Sequence, residues 1–286
     1  MPLDYDFLTG LVPLEVEHDF TVNDTILYAL GIGAGLAATT DDDLRFVYES
    51  GLQALPTMAA VLAYPGFWAR DPKYGITWQK LLHVEQSIEI HQPLPVEGRV
   101  RGEMTIDEIY DRGAEKGALM HFSRRIFDAA GILLATVRQV NLLRADGGFG
   151  GRAGAPPTPH AVPDRTPDAT LALPTSLDQA LIYRLSGDTN PLHADPAVAK
   201  AAGFDRPILH GLCSFGIAGR AALKVLCDND PARLRRLDVR FSSPVFPGET
   251  IETRIWRTGE ETAAIEAFAL ERGVAVMRNG LVEHAA

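Results

Sequence analysis

Cysteine is scarce in this sequence: Cys213 and Cys227 are the two among 286 residues. Two thiols cannot build a disulfide framework, and their spacing matches no zinc-binding pattern. Cys213 lies in the apolar stretch LCSFGIAG and reads as a small buried hydrophobe. Long hydrophobic runs are missing too, for none approaches the ~20 residues a membrane-crossing helix needs. A basic excess is also lacking. Lys and Arg number 27 against 37 Asp and Glu, a formal charge of −10, which speaks against nucleic acid or an anionic membrane as partner. The opening MPLDYDFLTG has early acids and no basic segment, unlike a secretory leader. The closing EHAA is not a peroxisomal tripeptide. These absences lead us to expect a cytoplasmic protein.

Cofactor signatures are likewise wanting. No metal-ligand set or phosphate loop is present, and GIGAGL (Gly31 to Leu36) lacks the full dinucleotide glycine spacing and its acid about twenty residues on. What remains is an ordinary globular composition, 46% hydrophobic and 22% charged. The length suits one large or two modest domains.

A weak internal repeat favours two domains. LYALGIGAG (Leu27 to Gly35) echoes IYRLSGDTN (Ile182 to Asn190), and LPTMAAVLAYPG (Leu55 to Gly66) echoes RPILHGLCSFGIAG (Arg206 to Gly219). HQPLPVEGRVRGEMTI (His91 to Ile106) echoes SSPVFPGETIETRIW (Ser242 to Trp256). Each half closes on alternating strand-like runs broken at Ala130-Gly131 and Arg272-Gly273, which predict hairpins. Residues 147–169 are rich in Gly and Pro and read as a connector between residues 1–146 and 170–286. The fold class is α+β, two similar halves in one chain.

The halves differ where chemistry is concerned. Tyr183 to His193, YRLSGDTNPLH, places an acid and a potential base, Asp188 and His193, around an Asn190-Pro191 turn. Proline fixes its own φ and extends the residue before it, so the pair is held in a set relation, as general acid–base work requires. An Asx turn with a surface histidine is the plain alternative. The first half offers only GIGAGLA at the matching place, so any chemistry belongs to the second half. The apolar pattern after His210-Gly211 predicts a helix to about Leu226, while Thr57 to Tyr64 allows two turns before Pro65-Gly66. Asp195-Pro196 reads as a helix cap and first residue, and Gly203 as its stop.

YRLSGDTNPLH, followed by ADPAVAKAAGF and PILHGLCSFG, resembles the signature of the 2-enoyl-CoA hydratase 2 family, the MaoC-like (R)-specific dehydratases. TILYALGIGA, DLRFVYE, LPTMAAV, LLHVEQSIEIHQPLP and GGFGGR resemble the amino-terminal half of its two-repeat, eukaryotic-type members, so the likeness runs over roughly residues 5–284. It implies a double hot-dog fold, each repeat a curved antiparallel sheet wrapped around a helix. It implies hydration of trans-2-enoyl-CoA to (3R)-3-hydroxyacyl-CoA, with Asp188 and His193 holding the attacking water. Asn190 would position that water or merely form the turn, and the Gly211 amide would receive the thioester oxyanion. His83, Val84, Arg112, Thr189, Pro191, Leu192 and Phe241 fall at ligand-contacting positions. Two of these depart from the family pattern, Val84 replacing a glycine and Arg112 a lysine. His210 is expected to be structural, and His18, His91, His121, His160 and His284 form no constellation. No cofactor is implied beyond the coenzyme A ester and water, and a homodimer is expected.

Two consequences follow. A polyanionic ester must be met by a local basic rim, because the net charge repels it. The shortened first-half helix should open space for an acyl tail, an expectation that Phe67 and Trp68 would defeat by filling it. Alternative readings are a hot-dog acyl-CoA thioesterase, or a non-catalytic acyl-CoA-binding subunit.

Overall fold

The computed structural model describes residues 3–36, 41–151 and 157–285. A short helix α1 (Tyr5–Thr9) precedes β1 (Leu14–Phe20), and α2 (Val22–Gly31) and α3 (Asp41–Val47) follow. The first half then supplies β2 (Leu81–Ile90), β3 (Gly98–Asp111), β4 (Ala118–Asp128) and β5 (Leu133–Leu143). The second repeats the order: β6 (Ala169–Pro174), α4 (Gln179–Tyr183), α5 (Pro196–Ala201), α6 (Gly211–Leu226), β7 (Leu234–Phe241), β8 (Thr250–Arg257), β9 (Thr262–Ala269) and β10 (Val274–His284). The hairpins turn at the two predicted breakers, between β4 and β5 and between β9 and β10.

All ten strands join one antiparallel sheet in the order β1-β3-β4-β5-β2-β7-β10-β9-β8-β6. Read outward from its middle, each half runs through the same sequence of equivalent strands. The seam is β2 against β7, from Glu85↔Arg240 to Glu89↔Arg236. This is the double hot-dog arrangement. Among the described residues no helix is long and apolar enough to cross a membrane.

The rods inside the two sheets are unlike. α6 keeps its predicted bounds, and side chains all round it, from Cys213 to Leu223, are buried, as expected of a helix apolar on every face. Each large one, such as Phe215 or Ile217, contributes about 1.5–3 kcal/mol by leaving water. The first-half rod corrects the two-turn expectation. It is a single 3-10 stretch, Pro56–Ala60, and Ala63 already turns left-handed at φ 47°. Buried Arg124 stops it by donating Nη2 to the carbonyls of Ala59 and Ala60 at 3.2 and 2.8 Å. The turn then presses on β3 at Gly102, where a Cβ would lie 2.8 Å from the Ala63 Cβ and carbonyl oxygen. The two rods meet at Gly219, where a Cβ would stand 2.5 Å from the Thr57 methyl.

The connector carries no helix or strand among its described residues up to Asp168, and Ala169 already opens β6. In GGFGGR the amides of Gly148 and Gly150 donate to the Asp111 carboxylate at 2.7 and 2.9 Å. Arg152 lies outside the described residues.

Candidate active site

The Asp188–His193 segment is built by three short turns. α4 runs into a 3-10 turn, Arg184–Ser186, which ends on left-handed Gly187 at φ 113°. The Asp188 carboxylate then accepts from the Asn190 N–H at 3.1 Å, and the Asn190 side-chain oxygen accepts from the Leu192 N–H at 3.1 Å. Pro191 opens a last turn, Pro191–His193. α5 anchors the far side, its cap Asp195 accepting from the Ala197 N–H at 2.8 Å. Asn190 thus spends its carbonyl on the turn.

Asp188, His193 and His210 each bring one ligand-type atom within 4.8 Å of the others. That spacing lets one water bridge carboxylate and imidazole. His193 is only 8% exposed, and its Nδ1 stands 2.8 Å from the Ile208 carbonyl. A carbonyl only accepts, so Nδ1 carries the proton and Nε2 of the neutral ring keeps a free lone pair. Burial pushes the His193 pKa down, which favours that neutral form.

His210 is the residue that sequence reasoning undervalued. Its ring stacks on His193 with centroids 3.7 Å apart and planes 29° from parallel, and its Nε2–H donates to the Asp188 carbonyl at 3.2 Å. Burial, then the nearness of His193, holds its pKa down to about 4. Nothing in the motif forecasts a stack between residues seventeen positions apart; the only signal was the imidazole standing just before a helix. The trio does not make a good metal cage. The lone pairs of two nearly parallel rings do not meet at a point ~2 Å from both.

Gly211 is the first residue of α6, and His210 makes no side-chain cap there. The opening amides of a helix have no partner within it and stand at the positive end of its dipole. Phe241 lies against Gly211, where a Cβ would be 3.4 Å from the ring, and meets His83 edge-on at 5.0 Å. His83 Nε2–H donates to the Glu85 carbonyl at 2.9 Å, and burial lowers its pKa to about 4.

Asp188, His193, Gly211, Phe241 and His83 share the wall of a cavity of about 1010 Å³ that also takes in Thr189, Asn190, Pro191 and Leu192. It runs under the first-half sheet past Tyr28, Met58, Val61 and Leu62, where the shortened rod leaves room. Phe67 and Trp68 stand in its wall instead of filling it; Trp68 is held edge-on by Tyr74 and Phe122. Two expected contacts fall elsewhere. Val84 occupies the β2 bulge between His83 and Glu85 and does not reach the cavity wall. Arg112 is exposed in the β3–β4 hairpin and is not part of the cavity wall. Arg70 and Arg144, which the sequence reading passed over, line the cavity instead. For Arg70 the signal was the interleaving of basic and aromatic residues in FWARDPKYGITWQK; Arg144 had none.

Comparison with known proteins identifies the family. Residues 159–277 match the model of the MaoC like domain, and residues 18–145 that of the MFE-2 hydratase 2 N-terminal domain. A Mycobacterium tuberculosis protein named 3-hydroxyacyl-thioester dehydratase Y is 42% identical, covering 97% of each chain. Enoyl-CoA hydratase 2, peroxisomal, of Arabidopsis thaliana is 38% identical over 86% of this chain and 84% of its own. The crystal structure of a MaoC-like dehydratase from Phytophthora capsici superposes with a TM-score of 0.88 at 36% identity, over 98% of both chains.

Proposed function

The chain belongs to the MaoC-like dehydratases of the enoyl-CoA hydratase 2 type, hydro-lyases of the double hot-dog fold, and on that footing we propose that it hydrates trans-2-enoyl-CoA to (3R)-3-hydroxyacyl-CoA, reversibly. The observation that carries the reading is the convergence of Asp188 and His193 in one cavity whose wall includes the opening of α6. The R configuration rests on family likeness.

A water bridges the Asp188 carboxylate and His193 Nε2. Nε2 takes one of its protons while the water oxygen bonds to C3. The C2–C3 π electrons shift toward the thioester, and the charge gathering on its oxygen meets the Gly211 N–H and the helix dipole. Such a donor is worth ~10²–10³ in rate. The imidazolium formed is stabilised by the neighbouring carboxylate, and the pair returns the proton to C2. One water enters and nothing leaves, so the balance closes; dehydration is the same path reversed. The apolar reach beside Tyr28, Met58 and Val61 suits the acyl tail.

The test follows loss of the enoyl-thioester absorbance with short, medium, long and branched substrates, with chiral analysis of the product. An S product overturns the stereochemistry, and release of free thiol in place of hydration would reassign the site to thioester hydrolysis. Family likeness also supports a homodimer; a solution mass of 31.0 kDa by light scattering would refute it.

A further inference from the structure

A histidine outside the reaction centre is tied to the turn that ends the first-half rod. The Ala63 N–H donates to His18 Nδ1 at 3.0 Å, across forty-five positions of sequence. A ring nitrogen that accepts from an amide carries no proton, so the neutral His18 ring bears its hydrogen on Nε2. His18 stands on β1, level with Val100 of β3, and is half-buried.

Ala63 is an uncommon residue to meet at φ 47°. Left-handed backbone crowds an alanine Cβ against the following carbonyl oxygen, and it persists where the surroundings hold it. Here they do so from three sides. His18 takes the N–H, which fixes the peptide plane just where the chain changes hand. Gly102 of β3 makes room for the Ala63 Cβ and carbonyl oxygen. Arg124 binds the Ala59 and Ala60 carbonyls and sets its guanidinium 5.3 Å from the centroid of the Tyr64 ring.

The turn has a use. Val61, Leu62 and Tyr64 line the cavity, as His18 does itself. The apolar pattern of Thr57 to Tyr64 favours helix to its end. Were Ala63 to relax to a helical φ, the rod would continue into the space beside β1. The left-handed turn keeps that volume open.

We infer that His18 is a positioning residue that sets acyl specificity: by accepting the Ala63 N–H it holds the turn that keeps the acyl container open, and so admits long chains without touching the reacting carbons. The inference deepens the hydratase reading and rests on it for the substrate.

Two substitutions separate the bond from the bulk. In His18→Asn the side-chain oxygen falls where Nδ1 stands and still accepts; in His18→Leu the bulk remains and the acceptor is lost. Kinetics on the full chain compare crotonyl-CoA with trans-2-dodecenoyl-CoA. His18→Leu raises KM for the long ester about tenfold while its kcat and the crotonyl-CoA constants stay near wild type, and His18→Asn restores the long-ester KM. Equal losses on both esters, no loss on either, or a loss in His18→Asn as large as in His18→Leu overturns the inference. Nitrogen-15 spectra of the wild-type imidazoles read the clamp without turnover and without relying on a folded His18→Leu chain. The His18 signals, identified by their absence from His18→Asn, show the proton on Nε2; a proton on Nδ1 means that the clamp does not exist. Wild-type turnover of crotonyl-CoA tests the hydratase reading separately.

Discussion

The two halves of this chain share a strand order and differ in the rod each sheet encloses. In the second half α6 fills its sheet, and its amino end at Gly211 faces the carboxylate–imidazole pair. In the first half five residues of 3-10 helix end under Arg124, and the volume the helix would have taken belongs to the cavity. One scaffold thus yields a candidate reaction centre or an open volume, depending on how far one segment stays helical. Two identical halves would supply two sites and less room for a substrate.

Removing the chemistry from the second half has the largest expected effect. Asp188→Ala and His193→Ala each lower hydration by ~10²–10⁴-fold with thioester binding largely kept, read by the absorbance assay and by titration. Unchanged turnover in both ends the functional reading. Filling the first half comes next. Val61→Trp narrows the container, so long-chain turnover falls by about tenfold or more while the four-carbon ester changes little. Parallel losses at every chain length would place the acyl tail elsewhere. Third is the turn that ends the first-half rod. Gly102→Ala sets a Cβ against the Ala63 backbone and costs about 1–3 kcal/mol, seen as a lower Tm; a neutral result would mean the turn can yield.

The smallest effects are those of pH. The proposed step needs a neutral His193, and burial lowers its pKa, so the acid limb of kcat/KM is expected below the ordinary imidazole value of ~6.5. For stability, the unfolded chain takes a proton at His83 near ~6.5 and the folded chain only near 4. Stability is therefore full above that range and is lost as pH falls through it. His83→Gln should flatten the decline in Tm between pH 7 and 4, and an unaltered slope would show that His83 does not contribute.

Local features were legible in the sequence because nearby residues decide them. The bounds of α6, the cap at Asp195 and the two hairpin breakers depend on neighbours a few positions away. The Asn190-Pro191 turn set Asp188 beside His193 for the same reason. What escaped depends on distant partners. Arg124 reaches Ala59 from sixty-five positions away, so a two-turn expectation became one 3-10 stretch. The His193–His210 stack and the place of Arg144 on the cavity wall follow from how elements distant in sequence pack together. That is a product of the whole fold.

The seam between β2 and β7 has a consequence for how the molecule comes apart. Severing the chain at its connector would leave each fragment with a bare strand edge in the middle of the former sheet, and a bare edge invites pairing with any available strand. The halves are therefore not independent modules. They should melt in one calorimetric transition, and neither should survive alone as a soluble monomer.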